Sequence, residues 1–199
     1  MKHLILSLFL VFNGYWLAAQ DSLFATVHVI YGSKPKAKTE GKWFGGKLGG
    51  HVGLEVSPGK VVHFNPGGAV GAWQKNSDTG SYVISTIEGF YSTFGTDSVK
   101  QMAVKIPISE AGFKVLDSIA NHFVGHPPYP YAFFGMRCAA ACYHLLSFTE
   151  VYPKISKRKM VRKFFYPRKL RKRLIKTAKK RGWKVTITEG RATRKWDHD

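Results

Sequence analysis

The sequence predicts an α+β fold in which a small antiparallel sheet packs on helices and a basic helical segment follows at the C-terminus. Short alternating segments fill the first half of the chain, a helical apolar period begins near Ser109, and the charge rises sharply from Lys154. The chain has 199 residues and is 44% hydrophobic, which is enough for the core of one ordinary domain. We therefore do not expect global disorder.

The first twenty residues are typical of an export signal. Met1–His3 is a short basic start, Leu4–Phe12 is apolar apart from one serine, and Ala18 and Ala19 are small residues suited to cleavage. The apolar run is too short for a comfortable membrane span, and no cysteine follows for lipidation. We expect residues 1–20 to be removed and the chain to reach the periplasm, cell envelope or exterior, with a buried N-terminal strand or helix as the alternative.

Short runs of β-branched and aromatic residues predict the strands, and the turn at Pro58-Gly59 joins two of them into a hairpin. The predicted strands are Leu23–Tyr31, His51–Val56, Val61–Phe64, Ser81–Thr86, Gln101–Ile108 and Lys184–Thr188.

Three helices are predicted by apolar spacing and by start and stop residues. The first begins at Ser109, the second begins at Arg137 or Cys138, and the third has Pro167 in its first turn and Gly182 as its C-terminal cap. The prolines between the first two helices require an extended connection there.

The basic residues are concentrated in one part of the chain. Lys154–Lys195 holds 19 Lys and Arg residues and one acid, whereas the rest of the chain is close to neutral. We therefore predict a domain over residues 21–153 and a basic helix, strand and tail over 154–199, packed on it or appended to it. A protein that binds nucleic acid over its whole surface is disfavoured.

The basic segment has three interpretations. It can be a solvated helix face, or it can bind an anionic surface such as phospholipid, lipopolysaccharide or wall polymer, helped by aromatic residues at the interface. Nucleic acid is the third and least favoured partner for an exported chain. The aromatic residues of the second interpretation are Phe164, Phe165, Tyr166 and Trp183.

Two histidines bracket the predicted hairpin. His51 opens one strand and His63 lies near the end of its partner, twelve residues later, with the turn midway. This spacing places them roughly opposite each other, and its even number is compatible with one face of the sheet. The alternative is that each histidine is an ordinary residue of a half-buried sheet.

The two cysteines are predicted to have different roles. Cys138 stands at the head of a helix, where unpaired N–H groups and the helix dipole favour a thiolate and lower the thiol pKa. Cys142 lies one turn deeper among alanines and leucines, which favours core packing. Side chains one turn apart make a poor disulfide, so we expect at least one free thiol.

The hairpin resembles a known enzyme family. The sequence HVGLEV at His51–Val56, followed by GKVVH at Gly59–His63, is similar to the paired histidine strands of NlpC-type papain-like cysteine hydrolases. Here Cys138 follows the strands, an order that resembles the circularly permuted branch of that superfamily, and the residue before it is Arg137 rather than the usual Asp-Cys-Ser signature.

The resemblance implies a papain-like α+β fold and a Cys-His-His mechanism. Cys138 would be the nucleophile, His51 the general base, and His63 the group that orients His51. The Cys138 backbone N–H would contribute to an oxyanion hole, and Tyr129 or Tyr131 could supply a second donor.

We therefore predict an exported cysteine hydrolase that cleaves an amide, with a peptidoglycan peptide as the first substrate class. A lipid ester hydrolase or acyltransferase acting on a lipid-like acyl substrate is the first alternative, and a non-catalytic module that binds an anionic envelope through Lys154–Lys195 is the second. We predict no cofactor and no metal. Neither the pair His122 and His126 nor the terminal Asp197–Asp199 has persuasive metal-ligand spacing.

Overall fold

A six-stranded antiparallel sheet forms the centre of the fold. The computed structural model describes residues 23–39, 49–68, 70, 72–73, 80–93 and 99–196, so the predicted signal segment and the terminal Asp197–Asp199 lie outside the described residues. The strand order is β5-β4-β3-β1-β6-β7, and β2 and β8 form a separate two-stranded sheet. The strands are β1 (Leu23–Ile30), β2 (Ser33–Pro35), β3 (His51–Ser57), β4 (Lys60–Pro66), β5 (Gly80–Thr86), β6 (Gln101–Ile108), β7 (Lys184–Thr188) and β8 (Arg194–Trp196).

The predicted hairpin is present as β3 and β4. Gly59 has a φ of 78° at its turn, a conformation that glycine adopts without strain. The ladder between the two strands reaches as far as the pair Gly53 and His63. His51 and Val52 lie beyond it, and in the described part of the chain their strand partner is β1.

Five helices with described bounds accompany the sheet, and most of these begin with a local capping group. Ser109 and Ser156 each accept a hydrogen bond from a backbone N–H of the first turn, and Pro167 occupies the first turn of its helix. Gly182 ends that helix with a φ of 68°. The helices are α1 (Ile87–Ser92), α2 (Glu110–Gly125), α3 (Cys138–Leu146), α4 (Lys157–Lys163) and α5 (Pro167–Arg181).

The two faces of the sheet have different coverings. Val52 and Leu54 belong to the main core with the alanines of α3, because alternate residues of a strand point to opposite faces. His51 and His63 contact Phe90 of α1. The alternation along β3 therefore places the His51 ring on the face covered by α1, and Val52 and Leu54 on the face covered by α3.

The basic C-terminal segment contributes to the core. Leu170, Leu174 and Ala178 form the buried stripe of α5, and β7 pairs with β6 at the edge of the sheet. Arg171 is 0% exposed, and its guanidinium lies 3.6 Å from the ring centroid of Tyr31. The interpretation of the basic segment as a solvated helix face therefore applies to the outer face of α5 and not to its buried stripe.

The α+β prediction, with an antiparallel sheet packed against helices, is confirmed, and the architecture is consistent with a small papain-like fold. The predicted strands and the three predicted helices are present. Sequence analysis missed the short elements β2, β8, α1 and α4, whose apolar patterns are too brief to show a period. No helix among the described residues combines the length and apolarity needed to cross a bilayer.

Candidate active site

The two hairpin histidines meet as the sequence predicts. Nε2 of His51 lies 3.0 Å from Nδ1 of His63, and the rings are almost perpendicular, with centroids 5.1 Å apart. Both side chains are buried. The pair is held by β1 on one side of His51 and by β4, which carries His63.

His63 is fixed by two further polar groups. Its Nε2 lies 2.8 Å from Oγ of Ser85 on β5, and its Nδ1 lies 3.3 Å from Oδ1 of Asn65, two residues along β4. Two tautomers fit these contacts. When Nδ1–H of His63 donates to Asn65, its Nε2 accepts from the Ser85 hydroxyl; when Nε2–H of His63 donates to Ser85, its Nδ1 accepts from Nε2–H of His51. In the second tautomer Nδ1 of His51 is the atom that can accept a proton.

Burial keeps both rings neutral. Burial, helped by charge repulsion from the neighbouring His63, lowers the pKa of His51 to about 3. Burial also lowers the pKa of His63, although its hydrogen bond with Asn65 acts in the opposite direction. A neutral imidazole is the form that can act as a base.

Phe90 of α1 covers the histidine pair. Its ring centroid lies 5.7 Å from that of His51 and 5.3 Å from that of His63. Gly53 makes this approach possible, because a Cβ there would lie 2.7 Å from Cε2 of Phe90 and 2.5 Å from Cγ1 of Val61. The glycine of the HVGLEV segment is therefore required by packing at the site.

A second polar cluster lies beside the pair on the same face. Nδ1 of His28 is 2.8 Å from the hydroxyl of Tyr91, and its Nε2 is 3.2 Å from Oε2 of Glu55. Burial lowers the pKa of His28, while the hydrogen bond and charge of Glu55 raise it. This cluster ties α1 to β1 and β3, and thereby fixes Phe90 over the histidines.

Cys138 begins α3 and lies against the first residues of β3. The backbone amides of Val52, Ala139 and Cys138 all act to lower the pKa of the thiol, so the sulfur lies close to the start of β3. The nitrogen of Val52 is bonded directly to the carbonyl carbon of His51. The sulfur therefore lies beside the backbone of the predicted base, at the point where β3 has left β4.

The thiol pKa differs from the prediction made for a helix N-terminus. Burial raises the pKa of Cys138 to about 11, although the charge of Arg137 and the three backbone amides all lower it. The side chain is only 4% exposed. The expected lowering by the helix end is present but is outweighed by desolvation, so the resting group is a neutral thiol.

Arg137 and Tyr131 complete the surroundings of the sulfur. Burial together with the charge of Cys138 raises the pKa of Tyr131 to about 12, while the neighbouring Arg137 acts to lower it. Nε and Nη1 of Arg137 are buried with no hydrogen-bond partner in the described part of the chain. Tyr131 therefore lies near enough to Cys138 for the two groups to affect each other's charge, and its role as an oxyanion donor stays a prediction.

The prediction for Tyr129 is not supported. Its hydroxyl is hydrogen-bonded to Tyr82 and lies 3.2 Å from Nδ1 of His144, deep in the core. The pKa of Tyr129 is affected by the thiol of Cys142, which lies one helical turn beyond Cys138. The Pro-rich connection directs Tyr129 inward, while Tyr131 lies at the start of α3.

Both cysteines are free thiols, which confirms the expectation from their spacing. Cys142 is buried in the main core, as predicted, and burial raises its pKa. His122 and His126 stack with ring centroids 5.1 Å apart, on the exposed face of α2. In the described residues no group of three or more His, Cys, Asp or Glu is arranged to hold a metal ion.

Sequence reasoning missed Asn65, Ser85 and Phe90 as parts of the site. Asn65 could have been found by strand period, because it lies two residues from His63 on the same face. Ser85 required the register of β4 against β5, in which His63 pairs with Val83. Phe90 lies on a helix too short to predict.

Comparison with known proteins adds little to this geometry. No protein-family profile matches the chain, and no curated protein matches it in sequence. A crystal structure of a type VI secretion system effector, TseH, is similar at 12% sequence identity and a TM-score of 0.38, over 83% of this chain and 98% of that one. A similarity of this size carries no argument about the function of the chain.

Proposed function

We propose that the chain is a cysteine hydrolase of the permuted NlpC-like type, which cleaves an amide with Cys138 as nucleophile, His51 as general base and His63 as the residue that positions His51. The observation that carries the proposal is the 3.0 Å contact between the two imidazoles. The effect of the Val52 amide on the pKa of Cys138 supports it, because Val52 follows His51 directly. Export and action on a peptidoglycan peptide remain the first expectation for its location and substrate class.

The first half of the reaction forms an acyl-enzyme. The proton of the Cys138 thiol passes to Nδ1 of His51 as the sulfur attacks the carbonyl carbon of the substrate. Nε2–H of His51 then donates to His63 and stabilises the imidazolium. The imidazolium returns the proton to the leaving amine, and the C–N bond breaks.

The second half releases the acid. Water loses a proton to His51 and attacks the thioester carbonyl, and the tetrahedral intermediate expels the Cys138 sulfur, which regains its proton from His51. The backbone N–H of Cys138 and the hydroxyl of Tyr131 are the donors assigned to the oxyanion. Such a donor contributes roughly 3 kcal/mol of transition-state stabilisation.

The neutral resting state of Cys138 and His51 is compatible with a mechanism in which the thiolate and the imidazolium form in the same step. Burial disfavours an isolated thiolate and an isolated imidazolium, as the shifted pKa values of Cys138 and His51 indicate. A thiolate beside an imidazolium carries no net charge, and each charge stabilises the other. Proton transfer is therefore assigned to the step in which the substrate carbonyl is attacked.

The experiment compares Cys138→Ala with Cys142→Ala on two substrate panels, peptidoglycan stem peptides with amine release as the readout, and phospholipid vesicles with fatty-acid release as the readout. We expect Cys138→Ala to lose turnover and the thioester intermediate detected by mass spectrometry, whereas Cys142→Ala keeps both. Undiminished turnover in Cys138→Ala would contradict the mechanism.

A lipid ester is the second candidate substrate. The observation that favours it is the exposed ring cluster around Arg137, where the guanidinium lies 5.0 Å from the ring centroid of Phe165 and 5.2 Å from that of Phe133. Fatty-acid release without amine release in the comparison above would select it. Absence of both activities in the parent chain would favour the non-catalytic envelope-binding module.

A further inference from the structure

An exposed cluster of aromatic side chains lies next to the start of α3. Phe134 is at its centre, with ring centroids 4.8 Å from Trp73, 4.8 Å from Phe133 and 6.2 Å from Phe165. Tyr166 extends the cluster, 4.6 Å from Phe165. Trp73 is 64% exposed and Phe134 is 50% exposed. We refer to these five residues as the aromatic patch.

The patch is held in place although it faces solvent. The backbone N–H of Phe134 donates to the carbonyl of Ala72 at 2.9 Å, which fixes Trp73 beside it. The Arg137 guanidinium lies 5.0 to 5.3 Å from the ring centroids of Phe133, Phe165 and Tyr166. Large apolar side chains kept together at a surface mark a site of interaction.

A basic cavity adjoins the patch. It has a volume of about 640 Å³, and Phe134 and Phe165 form part of its wall. Four cations from α4 and α5 also line it, and in the described part of the chain none of them forms an ion pair with a carboxylate. The four cations are Lys157, Arg158, Arg162 and Lys169.

We propose that the aromatic patch and the basic cavity together form a docking surface for a bilayer of anionic phospholipid. Exposed aromatic rings enter the interface between headgroups and acyl chains, and Lys and Arg beside them bind lipid phosphates. The cavity accepts a phosphate-bearing headgroup, because its charged wall meets the apolar wall formed by Phe134 and Phe165.

The ring geometry favours a bilayer over single-stranded nucleic acid. Nucleic-acid grooves present separate ring faces on which successive bases stack. In the patch, Phe133 meets Phe134 at 87°, and Phe165 meets Tyr166 at 86°, so one ring edge covers the face of the other. The cluster presents one continuous apolar surface.

The composition of this surface corrects the sequence prediction of an anionic-surface anchor. Phe164 is buried and stacks on Tyr143 at 4.2 Å, and Trp183 packs against Tyr152. Neither belongs to the surface. Phe165 and Tyr166 do, and residues far away in sequence, Trp73 and Phe134 among them, join the basic segment there.

Vesicle sedimentation with the full chain tests the proposal. We expect binding to vesicles of phosphatidylcholine with 30% phosphatidylglycerol, and little binding to phosphatidylcholine alone. Arg158→Gln with Arg162→Gln should weaken the binding about fivefold for each charge removed. Lys34→Gln with Lys36→Gln removes the same charge from another basic cavity and serves as the control.

Phe134→Ser tests the apolar contribution, with Phe24→Ser as its control, since Phe24 is 38% exposed on β1. We expect only Phe134→Ser to weaken vesicle binding. Equal losses in the paired charge variants, or undiminished binding of Phe134→Ser, would overturn the docking surface. Tighter binding of oligo-dT than of anionic vesicles would assign the surface to nucleic acid instead.

The docking proposal and the hydrolase proposal can fail separately. Cys138→Ala should bind anionic vesicles as the parent chain does, because the sulfur is 4% exposed and belongs to neither the patch nor the cavity. Loss of turnover with retained binding supports both proposals. Retained turnover with no vesicle binding in the parent chain would remove the docking surface alone.

Discussion

Oγ of Ser85 lies 2.8 Å from Nε2 of His63, at the ring nitrogen that does not contact His51. The direction of the hydrogen bonds through the histidine pair follows from whether the Ser85 hydroxyl accepts or donates in this contact. If Ser85 accepts from His63, then His63 accepts from His51, and the His51 ring is left in the tautomer that can take a proton at Nδ1.

Ser85→Ala should therefore reduce turnover without changing the fold. Losing one hydrogen bond of about 1 kcal/mol weakens the tautomer preference, and we expect turnover to fall about three- to tenfold. Histidine ¹⁵N shifts should show an Nε2–H form of His51 in the parent and a mixture in the variant. Ser92→Ala, an exposed serine on α1, is the control and should change neither measurement.

The rate at which iodoacetamide labels Cys138 should rise with pH, because the pKa of this thiol is high. Burial raises that pKa to about 11, so the thiolate fraction, which reacts with iodoacetamide, should rise about tenfold per pH unit from pH 7 to pH 10. The measurement is the labelling rate in Cys142→Ala, in which Cys138 is the remaining thiol. A plateau below pH 8 would mean that the ion pair already exists at rest.

The proximity of His51 and His63 could be predicted from the sequence, because both residues belong to one hairpin. Two strands joined by a tight turn bring His51 and His63 close together, and their rings are in contact at 3.0 Å. The expectation that the two residues lie opposite each other is wrong by two positions, because a shift of register pairs His63 with Gly53. The thiol pKa depends on tertiary burial, which no local pattern specifies. The helix end that favours the thiolate could be predicted, while the desolvation that overrides it could not.

The aromatic patch was also beyond local reasoning. Its members come from a loop near Trp73, the connection before α3 and the start of α5, and their contacts exist only once β5 and α3 are placed. Tyr129 and Tyr131 show the same limit. They are two residues apart in a Pro-rich connection, and packing directs one into the core and the other to the sulfur.

Stability should fall on acidification, with His51 as one cause. Its pKa is lowered to about 3 from 6.5, so between these pH values the unfolded chain binds a proton that the folded chain does not. The unfolding free energy should drop by about 1.4 kcal/mol per pH unit for this group as the pH falls from 6.5. Burial lowers the pKa values of His28, His63 and His144, which act in the same direction.

Urea unfolding between pH 7 and pH 4 measures this slope. His51→Gln should reduce it by one proton relative to the parent. An unchanged slope in His51→Gln would mean that the ring is already protonated in the folded chain.

Gly53→Ala should destabilise the hairpin and disturb the histidine pair. The added methyl group would lie 2.5 Å from Cγ1 of Val61 and 2.7 Å from Cε2 of Phe90, so the strand or the covering ring must move. Overpacking of this kind costs roughly 1–3 kcal/mol, measurable by thermal or urea unfolding. Gly125→Ala, where a Cβ meets nothing within 4 Å, is the matched control and should cause no comparable loss.

Arg137→Gln should make the thiol less reactive. The guanidinium charge lowers the pKa of Cys138 and so counteracts part of the effect of burial. Removing this charge should raise that pKa further. In the Cys142→Ala background, the iodoacetamide labelling rate at pH 8.5 should therefore fall, and the rise of rate with pH should move to higher pH. Arg158→Gln removes the same charge from the basic cavity and should leave the profile unchanged. A faster rate in Arg137→Gln would show that the arginine acts by covering the sulfur rather than through its charge.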